Sequence, residues 1–481
     1  MKKILTAFSV AFVLVANAEW KVIGTAQLAD NVTLAQSVSK LGEFTGNAML
    51  GMMAAGALND LPGMAAFGPA RKGAATLFPF FVENGQYEFA MLYPVSITKE
   101  AFLKKFPGAV ESNGLIRAEC PIFGSRKDVT YVAFSADGKW AGASDKPQQA
   151  RLALKEVKEA EKPLDGDMAK IRIRRRGLDE FVKGGEQELD VRTKDLVSQL
   201  NGVVFGLRVS DKGLDFRGAV KAVEGSELSK VGLKPLAANP LAFAGKDAIS
   251  VGASAENCGY ESVEKSWNEV KPIIEKAGLK LDWLEFVQKN AVSKFTLDFD
   301  GLFAYVKSMD GKADPKIGEK MMEEIKQYMA DKNAKKFKAE GPAINCEFAL
   351  KGYAGKFLPA QRFAYTLPEV AEKKPFSVGF FSLYSLVRAI LPSVAKVSQQ
   401  KVAGLDAIVA ALPEEGQGGM AYALWADKGY LRLFFRIGGD EFMAVSAGFA
   451  AFMAMSAAND VGGGIEADDG DEGDDSDDDL D

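Results

Sequence analysis

The sequence predicts an α+β protein of two pseudo-repeated halves, each a mainly antiparallel sheet with helices packed on one face. Three observations lead there. Short segments with period-2 alternation are bounded by Gly, Asn and Asp turns, the pattern of half-buried strands. Helical segments interrupt these strands in both halves. Finally, two Asp-Lys-Gly turns, Asp211-Lys212-Gly213 and Asp427-Lys428-Gly429, each lie between two such strands, 216 residues apart. Glycine suits a hairpin turn because it tolerates positive φ.

Residues 1–18 read as a secretory signal. Lys2 and Lys3 precede an apolar run from Ile4 to Val15, and Ala16-Asn17-Ala18 has the small-x-small form of a cleavage site before Glu19. The short, lysine-led leader is of bacterial type and implies a periplasmic or secreted protein. The expected organisation is a signal at 1–18, a first half at 19–235, a second half at 236–460 and an acidic tail at 461–481.

In the first half, residues 31–67 have helical spacing, with Gly46 to Leu58 rich in Ala, Met and Gly. That run is either a closely packed core helix or an adaptable greasy surface. Strands 74–82 and 87–95 flank Glu83-Asn84-Gly85-Gln86. Thr98 can cap a helix over 99–106, stopped by Pro107-Gly108. Strands follow at 115–118, 129–134 and 140–143, then a charged helix at 147–161. A strand at 168–176, a helical region at 178–200 and the hairpin 203–220 complete the series, before a short helix near 226–231.

The second half has a weak strand region at 240–251, helices at 261–277 and 283–290, a strand at 293–306 and a charged helix at 316–336. Strands are expected at 344–351, 362–366 and 376–381, and helices at 383–396 and 404–412. The hairpin 420–437 and an apolar helix at 441–458 close it. The order strand, helices, hairpin, helix thus occurs twice and suggests an ancient duplication.

Composition removes whole classes of chemistry. The chain has no histidine among 481 residues. Ser-His-Asp and Cys-His catalysis are therefore excluded, as are histidine-based metal sites. The three cysteines, Cys120, Cys258 and Cys346, form no Cys-x-x-Cys, which argues against a thiolate metal site. One disulfide with a leftover thiol and three unpaired thiols both fit. No cofactor motif occurs, and neither does a phosphate loop, a dinucleotide fingerprint or Gly-x-Ser-x-Gly.

Ser-x-x-Lys occurs at Ser37/Lys40, Ser262/Lys265 and Ser393/Lys396, without the partner motifs of penicillin-recognising enzymes. Asp298 and Asp300 share a strand face, a pattern more typical of solvated carboxylates than of a glycosidase pair. The dense basic cluster is Arg172, Arg174, Arg175 and Arg176. On one continuous strand, Arg172, Arg174 and Arg176 project together and could bind an anion through guanidinium forks. The competing reading pairs them with neighbouring acids.

The net charge of −6 is carried by the tail, where residues 466–481 hold eleven acids and no base. Such a run is expected to be disordered and to bind divalent cations weakly. The rest of the chain is modestly basic and does not suggest a nucleic-acid partner. The apolar segment at 441–458 is too short and too rich in Ala for an integral membrane helix.

The Gly68-Pro69-Ala70-Arg71 segment, Tyr93-Pro94-Val95, Gly114-Leu115, the Asp137-Gly138 turn and Asp211-Lys212-Gly213-Leu214 carry a resemblance. By these, the chain resembles large exported proteins of unknown function from planctomycetes and their relatives. The resemblance implies export and an α+β fold, and it carries no activity and no site residues. The expected role is that of a non-enzymatic envelope or extracellular protein that binds or organises a partner. The alternative is a periplasmic carrier of lipid or another apolar ligand, using a concave sheet with helices 46–58 or 441–458. A histidine-independent carbohydrate-active enzyme is the remaining class.

Overall fold

The computed structural model describes residues 20–45, 61–83, 85–122, 128–184, 191–226, 234–255, 292–297, 343–350, 353–397, 414–427 and 429–444, with residues 229, 268 and 272. The leader, the Gly46–Leu58 run, the expected helix at 261–277 apart from residues 268 and 272, those at 283–290, 316–336 and 404–412, and the acidic tail lie outside them. So does the 441–458 segment beyond residue 444.

The elements in chain order are β1 (Lys21–Leu28), α1 (Asn31–Phe44), β2 (Thr76–Glu83), β3 (Gln86–Phe89), β4 (Met91–Pro94), α2 (Lys99–Lys105), β5 (Val110–Ser112), β6 (Leu115–Cys120), β7 (Asp128–Phe134), β8 (Trp140–Ser144) and α3 (Pro147–Ala153). Then come β9 (Ala169–Arg174), α4 (Arg175–Gly184), α5 (Val191–Ser198), β10 (Leu200–Ser210), β11 (Gly213–Ala222), β12 (Ala248–Ala255), β13 (Val292–Leu297) and β14 (Ala343–Leu350). The last are α6 (Pro359–Thr366), β15 (Ser377–Phe381), α7 (Leu383–Val397), β16 (Met420–Asp427) and β17 (Tyr430–Gly438).

These strands form one continuous sheet rather than a separate sheet for each half. Its ladders run β13–β14–β12–β15–β16–β17–β11–β10–β9–β1–β2, then through β4 to β8, β7, β6 and β5, with β3 hairpinned onto β2. Every ladder is antiparallel except β13–β14. Among the described residues no ladder joins the end strands β13 and β5.

The β11–β17 ladder joins residues 213–221 to residues 430–438, with Leu214 opposite Ile437 and Val220 opposite Leu431. At its heart is a buried ion pair. Arg436 Nε donates to Asp215 Oδ1 at 2.5 Å and Nη2 to Oδ2 at 2.9 Å. Its Nη1 donates to the Thr366 carbonyl at 2.7 Å, and Nη2 also reaches Glu369 at 3.0 Å. Burial alone would lower the Arg436 pKa, but the bonds to Asp215 and Glu369 outweigh it and hold the guanidinium above its ordinary value.

The two Asp-Lys-Gly triplets sit one residue out of step. Ser210 pairs with Gly213 in the first hairpin, so Gly213 closes the ladder. Asp427 pairs with Tyr430 in the second, so Gly429 lies within the turn. Gly213 (φ 147°) is needed for a second reason, since a Cβ there would meet the Ile437 carbonyl oxygen at 2.0 Å.

Helices pack on both faces, not one. In the β4–β8–β7–β6 region, Phe102 of α2 joins Phe67, Tyr93, Ile116 and Val132 in one core. On the other side Ala150 of α3 packs with Leu115 and Ala133, and Ala153 with Leu92 and Trp140. Helix α3 comes so close that a Cβ on Gly142 would lie 2.1 Å from the Ala150 carbonyl oxygen.

Local rules explain most elements. Thr98 Oγ1 accepts from Ala101 N at 3.2 Å and starts α2, as expected. The 147–161 helix is broken into α3, a 3₁₀ turn at 154–156 and a helical turn at 157–160. Residues 362–366, expected to be a strand, belong to helix α6. Pro359 occupies its first turn and Gln361 Oε1 accepts the Leu358 N–H at 3.1 Å, both helix-start features. Arg362 and Thr366 are then one helical turn apart on its buried side.

Asp215→Ala leaves Arg436 paired only with the half-exposed Glu369, which it reaches through Nη2 at 3.0 Å and Nη1 at 3.3 Å. This variant should lose about 3 kcal/mol of stability, the lower end of the cost of breaking a buried pair. The double replacement Asp215→Leu/Arg436→Met should lose far less, because the one charge left over, Glu369, is half exposed to water. Urea unfolding of the three chains checks this, and a double variant no more stable than the single one would contradict it.

Candidate functional site

Strand alternation and register together sort the side chains of the central sheet by chemistry. Paired residues in an antiparallel ladder share a face. On one face, β10 contributes Val203, Phe205, Leu207 and Val209, and β11 contributes Leu214, Phe216, Gly218 and Val220. Across the joint come Leu431, Leu433, Phe435 and Ile437 of β17, then Met420, Tyr422, Leu424 and Ala426 of β16. On the other flank are Ile171 and Ile173 of β9 and Ala26 and Leu28 of β1. No charged residue interrupts this face from β1 to β16.

An apolar face of this breadth is normally sealed into a core. Here Phe205 is 46% exposed, Phe216 38% and Tyr422 37%. Phe216 and Phe435 lie with ring centroids 5.7 Å apart across the joint. Gly379 leaves room for Tyr422, since a Cβ there would lie 2.2 Å from its ring. The result is an aromatic strip running across β10, β11, β17 and β16. It can bury an apolar chain and offers one hydroxyl, that of Tyr422.

The opposite face carries the charge. Lys170, Arg172 and Arg174 of β9, Arg208 of β10, Asp215 and Arg217 of β11, and Arg432 and Arg436 of β17 all project there. The expected anion cluster is divided on it. Strand β9 ends at Arg174, and Arg176 lies on α4, so the three side chains do not share a strand face. Arg172 pairs with Glu159 at 3.2 Å, and Arg174 with Glu156 at 2.7 Å. Arg175 pairs with Asp179 at 2.8 Å. Asp179 is one of the neighbouring acids, whereas Glu156 and Glu159 are brought to the cluster by the fold.

A buried polar cluster lies beneath α6. Arg362 donates to Glu415 Oε1 at 2.7 Å, Ser385 Oγ at 2.8 Å, Ser382 Oγ at 2.8 Å and the Gly418 carbonyl at 2.6 Å. Glu415 also accepts from Tyr353 Oη at 2.8 Å and from Ser385 Oγ at 3.1 Å. The Lys356 N–H takes the other oxygen, Oε2, so both oxygens of Glu415 are hydrogen-bonded. The cluster ties α6, α7 and the 414–418 segment together. Of the Ser-x-x-Lys pairs, Ser37 Oγ donates to the Thr33 carbonyl at 2.9 Å and Lys40 pairs with Asp211, leaving them apart in role. Ser262/Lys265 and the side chains of Ser393/Lys396 lie outside the described residues, as do Asp298 and Asp300.

Cys120 is a free, buried thiol, and burial pushes its pKa up to about 11. That makes it unreactive near neutral pH. Cys258 and the Cys346 side chain lie outside the described residues. Among the described residues no group of acids and cysteines could hold a metal ion, and no helix is long and apolar enough to cross a membrane.

Comparison with protein-family models, with curated proteins and with solved structures finds no match to this chain.

Glu441 adds a titrating group beside the polar cluster. It is fully buried, and its Oε2 accepts the Tyr384 N–H at 2.8 Å while Oε1 has no partner. Burial raises its pKa from 4.5 to about 7, partly offset by that hydrogen bond and by Arg362. The folded chain keeps this proton in a window where the unfolded chain has lost it. Stability should therefore fall as pH rises from about 4.5 to about 7, by on the order of 3 kcal/mol. Glu441→Gln should remove that slope, measured as urea midpoints across the window. An unchanged slope would show that Glu441 is not the titrating group.

Proposed function

We propose that this protein is an exported, non-enzymatic binding protein of the bacterial envelope whose ligand is a lipid or another long apolar molecule. The observation that carries this is the uncharged sheet face whose Phe205, Phe216 and Tyr422 are each more than one-third exposed. Burying such rings under a ligand is favourable by roughly 25 cal/mol per Å² of apolar area. The leader at 1–18 supports export. An absence of histidine and the engaged state of Glu415 favour binding over catalysis.

A duplicated origin fits the same reading. The order β2–β1–β9–β10–β11 in the first half parallels β14–β12–β15–β16–β17 in the second, antiparallel throughout. An antiparallel β11–β17 joint is what a two-fold relation between copies requires. A common ancestor would have supplied half of the apolar face. An experimental structure in which the second ladder does not rotate onto the first about this joint would contradict the duplication.

Mass spectrometry of an organic extract tests the binding. The chain, exported from a bacterial host and purified without detergent, should retain lipid. A Phe205→Asp/Phe216→Asp variant of equal folded yield should retain at least about tenfold less, since charge on this face opposes apolar contact. Lipid-free parent protein that also fails to take up a fluorescent fatty acid would overturn the reading.

A further inference from the structure

Away from the apolar face, an open cavity of about 430 Å³ lies where residues 29–33, 71–75 and 160–167 converge beside Trp140. Its volume is in the range of small-molecule sites. Several charged groups line it, and most are already engaged. Asp30 caps α1 by accepting from Val32 N at 3.0 Å and Thr33 N at 3.3 Å, and it also accepts from Thr33 Oγ1 and Gly73 N. Asp165 pairs with Lys170 at 3.1 Å, and Asp167 faces the same ammonium at 3.6 Å. Lys162 pairs with Glu159 at 2.6 Å.

What remains is mostly donors. Arg71 has its guanidinium carbon 5.3 Å from the centroid of the Trp140 ring, and no carboxylate lies within ion-pair distance of it or of Lys72 among the described residues. Asp137, close enough to feel the Arg71 charge, is held by Ser135 Oγ and Lys139 N. The buried indole N–H of Trp140 has no acceptor. Glu161 is the unpaired acid, exposed at the rim. Asp167 Oδ1 also lacks a donor, but that atom is closed off from the cavity, on a residue 4% exposed. Gly206 makes room for this carboxylate, since a Cβ there would lie 2.4 Å from Asp167 Oδ2.

From this accounting we propose that the cavity binds a small organic anion, whose carboxylate or phosphate group meets Arg71 and Lys72. A guanidinium stacked on an indole is pre-oriented for an oxyanion and loses little side-chain freedom on binding. This site does not depend on the apolar face.

The test follows the Trp140 indole N–H by NMR, assigned with Trp140→Phe, in the full mature chain. The probes are gluconate, glucose 6-phosphate, inorganic phosphate and glucose. Gluconate or glucose 6-phosphate should shift the signal saturably, and which of the two binds tighter distinguishes a carboxylate from a phosphate. Arg71→Ala/Lys72→Ala, folded by circular dichroism, should bind at least about tenfold more weakly. No saturable shift with gluconate or glucose 6-phosphate, an undiminished response in the double variant, an equal response to glucose, or inorganic phosphate binding as tightly as both organic anions would overturn the proposal.

Discussion

The ion pair between Asp215 and Arg436 holds the molecule together at its joint. The two residues sit opposite one another on β11 and β17, 221 positions apart in sequence, and both are buried. Neither charge could be buried alone, because an unpaired ion out of water costs several kcal/mol. The forked geometry fixes the register of the ladder, since a one-residue slip would move Asp215 to the apolar face. Arg436 then reaches Thr366 and Glu369, so the end of α6 is fastened to the same point.

Fixing that register decides what the two faces become. All charge in the central strands is sent to one side, where Glu156, Glu159 and Glu369 neutralise much of it. The other side is left uniformly apolar from β1 to β16. Its exposed rings lie close to the joint: Phe216 is on β11 itself, and Phe205 and Tyr422 are on the adjoining strands. The β11–β17 ladder thus carries the ion pair on one side and the aromatic strip, the proposed binding face, on the other.

Local order was legible in the sequence, and long-range pairing was not. The alternation in 203–220 and 420–437 marks two hairpins, and both exist within a few residues of the expected bounds. The apolar face itself was present as Val203, Phe205, Leu207 and Val209 and again as Leu431, Leu433, Phe435 and Ile437. What hid it was the β11–β17 pairing, which no periodicity reports. Residues 362–366 alternate like a strand, yet Pro359 and Gln361 start a helix whose Arg362 is needed inside. Arg176 fell on the wrong element because β9 gives way to α4 after Arg174. The cavity beside Trp140 was beyond sequence reading, since its walls come from three separated segments.

The central claim is that the apolar face, and not the charged one, meets the ligand. Paramagnetic broadening by a spin-labelled fatty acid, read residue by residue on the backbone amides, tests it most directly. The amides of Phe205, Phe216, Tyr422 and Phe435 should broaden first, on both sides of the joint. Amides around Glu156, Arg172 and Arg174 should keep their intensity. Broadening centred on the charged face, or confined to residues remote from the β11–β17 ladder, would contradict the account.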